Sequence, residues 1–76
     1  MGRLKPLPFR DVKRRLEAAG IQEASQRGSH VKFVRDTAGV VDTAIVPRKS
    51  EVAVGTLRSI LRQAHIDPED WDRLGE

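Results

Sequence analysis

The chain is predicted to adopt an α+β fold: a helix, a three-stranded antiparallel sheet, a second helix and a short terminal helical turn, with both helices on one sheet face. Three observations lead there. Two apolar stripes of helical period bracket a middle stretch of short β-prone runs separated by glycine-containing turns. At 76 residues and 8.5 kDa, the chain is too short for a doubly wound nucleotide-binding fold, a barrel or a two-domain enzyme with a cleft between its halves. Two short helices can cover only one face of three strands, so the other face is left to solvent. Residues 1–76 are expected to form one domain.

Residues 1–8 contain Pro6 and Pro8 and read as an extended or turned leader. The first helix is predicted over 9–20. Phe9, Val12, Leu16 and Ala19 form its apolar stripe, Asp11 and Arg15 make an i,i+4 pair, and Gly20 offers a left-handed cap. Strands are predicted over 21–26, 30–35 and 40–46. The first alternates poorly, a turn at Arg27-Gly28 follows it, and residues 36–39 make the second connection. The third is the richest in β-branched residues and stops at Pro47. Leu57, Ile60, Leu61 and Ala64 give the stripe of a helix over 55–65. Asp67 can cap and Pro68 can occupy the first turn of a short helical turn over 68–74, which tucks Trp71 and Leu74 against the body.

Composition narrows the chemistry. Cysteine is absent, which removes a disulfide scaffold, a thiol nucleophile and a cysteine-ligated zinc site. No signal peptide and no apolar run long enough to cross a bilayer is evident, so a soluble cytoplasmic protein is expected. Residues 67–76 hold five acids and one base, whereas residues 1–66 hold thirteen bases and six acids, a net +7. Ten of the fourteen bases are arginine, whose forked donors suit phosphate oxygens. A basic body with an acidic tail fits a polyanion such as RNA or DNA.

Phosphate-loop, dinucleotide and zinc-protease motifs are all missing, and no serine has a His-Asp partner at a recognisable spacing. Asp36 and Asp42 flank the second hairpin; facing each other, they would make a weak magnesium site. The unit Arg27-Gly28-Ser29-His30-Val31-Lys32-Phe33 carries more. His30 and Lys32 share one strand face and Phe33 takes the other. If Phe33 lies beneath the helices, His30 and Lys32 stand on an open basic face; otherwise His30 is an ordinary turn histidine bonded to its own backbone. His65, at the end of the second helix, is expected to serve as a cap whose proton complements the helix carbonyls.

Four stretches together resemble the HicA-type toxins of toxin–antitoxin pairs, small ribonucleases that cut messenger RNA. They are the helix end Leu16-Glu-Ala-Ala-Gly20, the motif Gly28-Ser29-His30 followed by Phe33, the strand end Ile45-Val46-Pro47, and the run from Gly55 to Ala64. The resemblance implies a double-stranded-RNA-binding-like fold, a catalytic histidine carried over onto His30, and a HicB-type antitoxin that covers it. Three positions depart from the family pattern. Val31 stands where many members have a second histidine, Pro47-Arg48-Lys49 supplies cations where many have a histidine soon after the proline, and His65 replaces a glycine.

The chemistry that follows is metal-independent and needs no cofactor. Imidazole, with an intrinsic pKa of about 6.5, can take the proton of a ribose 2′-OH, which then attacks the adjacent phosphate. RNA is therefore the substrate, and charge developing on phosphate needs fixed cations. Lys32 is the first candidate, with Arg27, Ser29, Arg48 and Lys49 as RNA contacts. Arg27, His30 and Lys32 form the surface expected to meet the antitoxin. The alternatives are a non-catalytic RNA-binding module of the same fold, or a regulatory protein whose basic face binds an acidic one.

Overall fold

The computed structural model describes residues 4–76, so the first three residues of the expected leader lie outside it. Its elements run α1 (Phe9–Ala18), β1 (Gln22–Arg27), β2 (His30–Thr37), β3 (Val40–Pro47), α2 (Val54–Ala64) and α3 (Pro68–Leu74). This is the expected α+β order. The sheet is antiparallel with β2 at its centre, and each element begins or ends within two residues of its predicted bounds.

The core lies on one side of the sheet. Val31 and Phe33 of β2 face Val46 and Ala44 of β3, and all four are buried with Val12 and Leu16 of α1 and Leu57, Ile60, Leu61 and Ala64 of α2. Both helical stripes therefore meet the same sheet face. Each fully buried large aliphatic or aromatic side chain contributes about 1.5–3 kcal/mol, which lets so small a core hold the fold. Trp71 of α3 is also buried; its backbone carbonyl accepts from Arg15 Nη1 at 3.0 Å, and the Arg15 guanidinium lies 5.3 Å from the indole centroid. Leu74 packs against the same core, as expected.

Residues 4–8 do more than lead into α1. Leu7 exchanges backbone hydrogen bonds with Val52, at 3.2 and 2.6 Å, and Phe9 N–H donates to Lys49 C=O at 3.0 Å. The loop between β3 and α2 is thereby tied to the start of the chain.

Both long helices end in the same way. At α1, Gly20 has φ +85°, its N–H donates to Glu17 C=O, and Ile21 N–H reaches back to Leu16 C=O at 2.9 Å. Ile21 and Leu16 are both buried, which completes a Schellman cap. The helix consequently stops at Ala18, two residues short of the expected end. At α2 the corresponding bonds are His65 N–H to Arg62 C=O and Ile66 N–H to Leu61 C=O, with His65 at φ +56° in the place that favours glycine.

Arg35 joins the two caps. Its Nη1 donates to Ala19 C=O at 3.2 Å and its Nη2 to Ala64 C=O at 3.0 Å, the equivalent carbonyls of the two helices. A cation at two helix C-termini also complements both dipoles. Asp42, directly opposite Arg35 on β3, accepts from Arg35 Nε and Nη2, and its other oxygen lies 2.8 Å from His65 Nδ1. The expected role of His65 at the helix carbonyls thus belongs to Arg35, while His65 is held by Asp42. Hydrogen bonds from Arg35 and then His65 keep the Asp42 carboxyl below its ordinary value.

Candidate functional site

The hairpin between β1 and β2 creates the site. Gly28 at φ +59° and Ser29 form a two-residue connection between Arg27 and His30, which are paired across the strands. Positive φ at the first central position alone is the pattern of a type II′ turn, and glycine there is what allows so short a link. Ser29 C=O accepts from Arg48 N–H at 2.6 Å, so the exit from β3 is fastened to the hairpin tip.

Register then decides which side chains meet. His30 lies opposite Pro47, Lys32 opposite Ile45 and Val34 opposite Thr43, and all have the opposite parity from buried Val31 and Phe33. Arg27 and Ser25 join them from β1, where they pair with His30 and Lys32. His30 and Lys32 are exposed on the face away from both helices, as strand alternation allows when Phe33 is in the core. Their Cα atoms are two strand residues apart, about 7 Å. Among the described residues no ion pair engages Arg27, His30 or Lys32, while Lys13 of α1, on the helix side of the sheet, is paired with Glu23 at 3.2 Å.

The remaining predicted residues divide. Ser29 is at the hairpin tip and Lys49 is exposed on the loop fastened to it. Arg48 has its backbone beside Ser29, but its guanidinium lies over the Phe9 ring at 5.0 Å. Phe9 in turn packs 6.3 Å from buried Phe33, so this cation is directed toward the helix side and away from His30. Asp36 and Asp42 do not form a carboxylate pair: they have opposite facing parity, Asp36 accepts from Gly39 N–H, and Asp42 is taken by Arg35 and His65. The magnesium suggestion fails because an even spacing of six residues spans a hairpin turn, which reverses the count of faces.

A small cavity of about 60 Å³ is lined by Lys5, Leu7, Arg15, Trp71 and Asp72, none of them a predicted site residue. The His30 face is an open surface, suited to a polymer more than to an enclosed metabolite. Sequence reasoning missed one feature of this face, the large exposed side chains Val41 and Ile45 of β3. The signal was available in their shared parity with His30 and Lys32, once the register of the second hairpin is known.

A small basic α+β protein of double-stranded-RNA-binding-like architecture, with an exposed histidine and lysine on the uncovered sheet face, is the class these features define. Residues 9–66 match the sequence model of the HicA toxin of bacterial toxin–antitoxin systems, and the chain belongs to that family. It is thus the toxin of a toxin–antitoxin system and has an antitoxin as its partner. No curated protein matches the chain in sequence. No helix among the described residues is long and apolar enough to cross a membrane.

Proposed function

We propose that this toxin is a metal-independent endoribonuclease that cleaves messenger RNA with His30 as general base, and that a HicB-type antitoxin silences it by covering the same face. The observation that carries the reading is the exposure of His30 beside Lys32 and Arg27 on a sheet face that contributes nothing to the core. An imidazole there can reach a ribose 2′-OH on an RNA strand lying across the sheet and take its proton. The oxygen then attacks the adjacent phosphorus, the P–O5′ bond breaks to leave a 2′,3′-cyclic phosphate, and the departing 5′-oxygen takes its proton from water. Lys32, one scissile phosphate away, offsets charge that develops on the non-bridging oxygens. Arg27, Ser29 and Lys49 hold flanking phosphates. Arg48, whose guanidinium lies over Phe9, supports the loop that carries Lys49.

Support for a general base over a passive contact comes from the hairpin geometry. The two-residue link at Gly28-Ser29 and its bond to Arg48 hold His30 on a strand, where a side chain is better fixed than on a loop. His30→Ala should keep the fold and lower the cleavage rate by roughly 10²–10⁴-fold, the usual contribution of one general base. Cleavage of a labelled RNA in single turnover, with and without a chelator, tests this. An unchanged rate would assign the face to RNA binding alone, and loss of activity on chelation would overturn the metal-free mechanism.

A further inference from the structure

Resting on the reading that the antitoxin covers the His30 face, we propose that its affinity is anchored on an aliphatic ridge of β3, formed by Val41 and Ile45, against which the antitoxin seats an apolar row flanked by carboxylates. Val41 and Ile45 are 57% and 41% exposed, and both are large aliphatic residues. Ile45 pairs with Lys32 and Val41 with Asp36, so both lie on the open face. Between them, half-buried Thr43 and Val34 fill the strip. The ridge runs about 14 Å along the strand and adjoins the cations of β1 and β2.

The fold does not need these side chains. The alternate positions Ala44 and Val46 already supply β3's share of the core. Exposed aliphatic rows beside polar groups mark protein interfaces, where burial supplies affinity and the charged surround supplies specificity.

RNA is a poor occupant of this ridge. Bases are held by aromatic faces or by hydrogen bonds, and β-branched aliphatics offer neither. A second copy of the chain fits poorly as well, because a two-fold contact through this face would set Arg27 and Lys32 against the same cations of the other copy. A partner with carboxylates around an apolar row satisfies both halves of the face. Edgewise strand pairing is also discouraged at Ile45, whose N–H donates to Gln63 Oε1 at 3.0 Å. The ridge therefore presents side chains for face-on docking.

The test titrates the full chain with a HicB-type antitoxin. The double variant Val41→Thr, Ile45→Thr keeps β-branched residues in the strand and so keeps the fold. It should raise Kd at least about tenfold, while RNA affinity and cleavage stay within about twofold. Val40→Thr, at a position 64% exposed but of opposite parity, should leave Kd within about twofold. An unchanged Kd in the double variant overturns the proposal. An equal loss of RNA cleavage assigns the ridge to the substrate and also overturns it. So does a wild-type dimer, seen by sedimentation, that the double variant dissolves. Failure of the ribonuclease reading is separately visible, as absence of RNA cleavage by the wild-type chain, and leaves the Kd comparison intact.

Discussion

Replacing Arg35 with methionine keeps an unbranched apolar stem of similar reach and removes the guanidinium that joins the two helix ends. The loss includes two hydrogen bonds to helix carbonyls, at 3.2 and 3.0 Å, and the ion pair with Asp42. The Arg35 side chain retains 26% exposure, so water replaces part of what is lost. Each bond from a charged donor is therefore set at about 1 kcal/mol, below the range for fully buried ones. The two carbonyl bonds alone come to about 2 kcal/mol, a large share of the roughly 5 kcal/mol expected of a domain this small. At about 4–8 °C per kcal/mol, Arg35→Met should lower Tm by about 8–16 °C in a circular dichroism melt at pH 7. A fall of less than about 3 °C would refute the claim that the guanidinium locks the two caps.

The pH dependence of this cluster has a definite sign. The Asp42 carboxyl is held below its ordinary value of 3.8, first by hydrogen bonds from Arg35 and His65. The folded chain therefore binds fewer protons there than the unfolded chain, and stability rises with pH through this region. The contribution is complete above about pH 5 and disappears as pH falls through the lowered value. The difference in Tm between wild type and Asp42→Asn should accordingly narrow below about pH 4.

Three further outcomes are expected. Lys32→Ala should reduce turnover at saturating RNA more than it weakens binding, because the lysine serves charge that develops in the transition state; equal turnover at saturation would remove that role. His65→Gly should melt about 4–8 °C above His65→Ala, since both lose the Asp42 contact but only glycine relieves a left-handed backbone worth about 1 kcal/mol; equal melting temperatures would contradict the cap assignment. Trp71→Ala should cost about 3–5 kcal/mol and leave little folded protein at 37 °C by circular dichroism, whereas a fully folded variant would show α3 to be dispensable.

Local periodicity made the elements legible, and alternation placed His30, Lys32 and Phe33 once the helices claimed one face. Long-range polar contacts were not legible. Arg35, Asp42 and His65 come from three elements, and no short-range pattern links a strand arginine to the carbonyls of Ala19 and Ala64. The early stop of α1 has a similar cause: Gly20 marks the left-handed residue, and the helix proper ends before it. The leader's bridge to Val52 was hidden because a single pair of backbone bonds leaves no alternation to read. Arg48 looked like a phosphate contact from its loop position, and only the packing of Phe9 shows where its cation goes. In β1 the register shifts between Glu23 and Ser25, which explains why that strand alternates poorly in sequence.

Trp71 is the chain's only tryptophan, and it sits in α3 beneath an arginine 56 positions earlier, remote from the open face of the sheet. Ultraviolet emission from this protein therefore reports how the last seven-residue helix is docked on α1, and carries no direct signal from the sheet. If that helix lifts off as a separate unit, emission will change before the far-ultraviolet dichroism does, and the two melting curves will part. Coincident curves would instead mean that the acidic end of the chain unfolds in one step with the strand that carries His30.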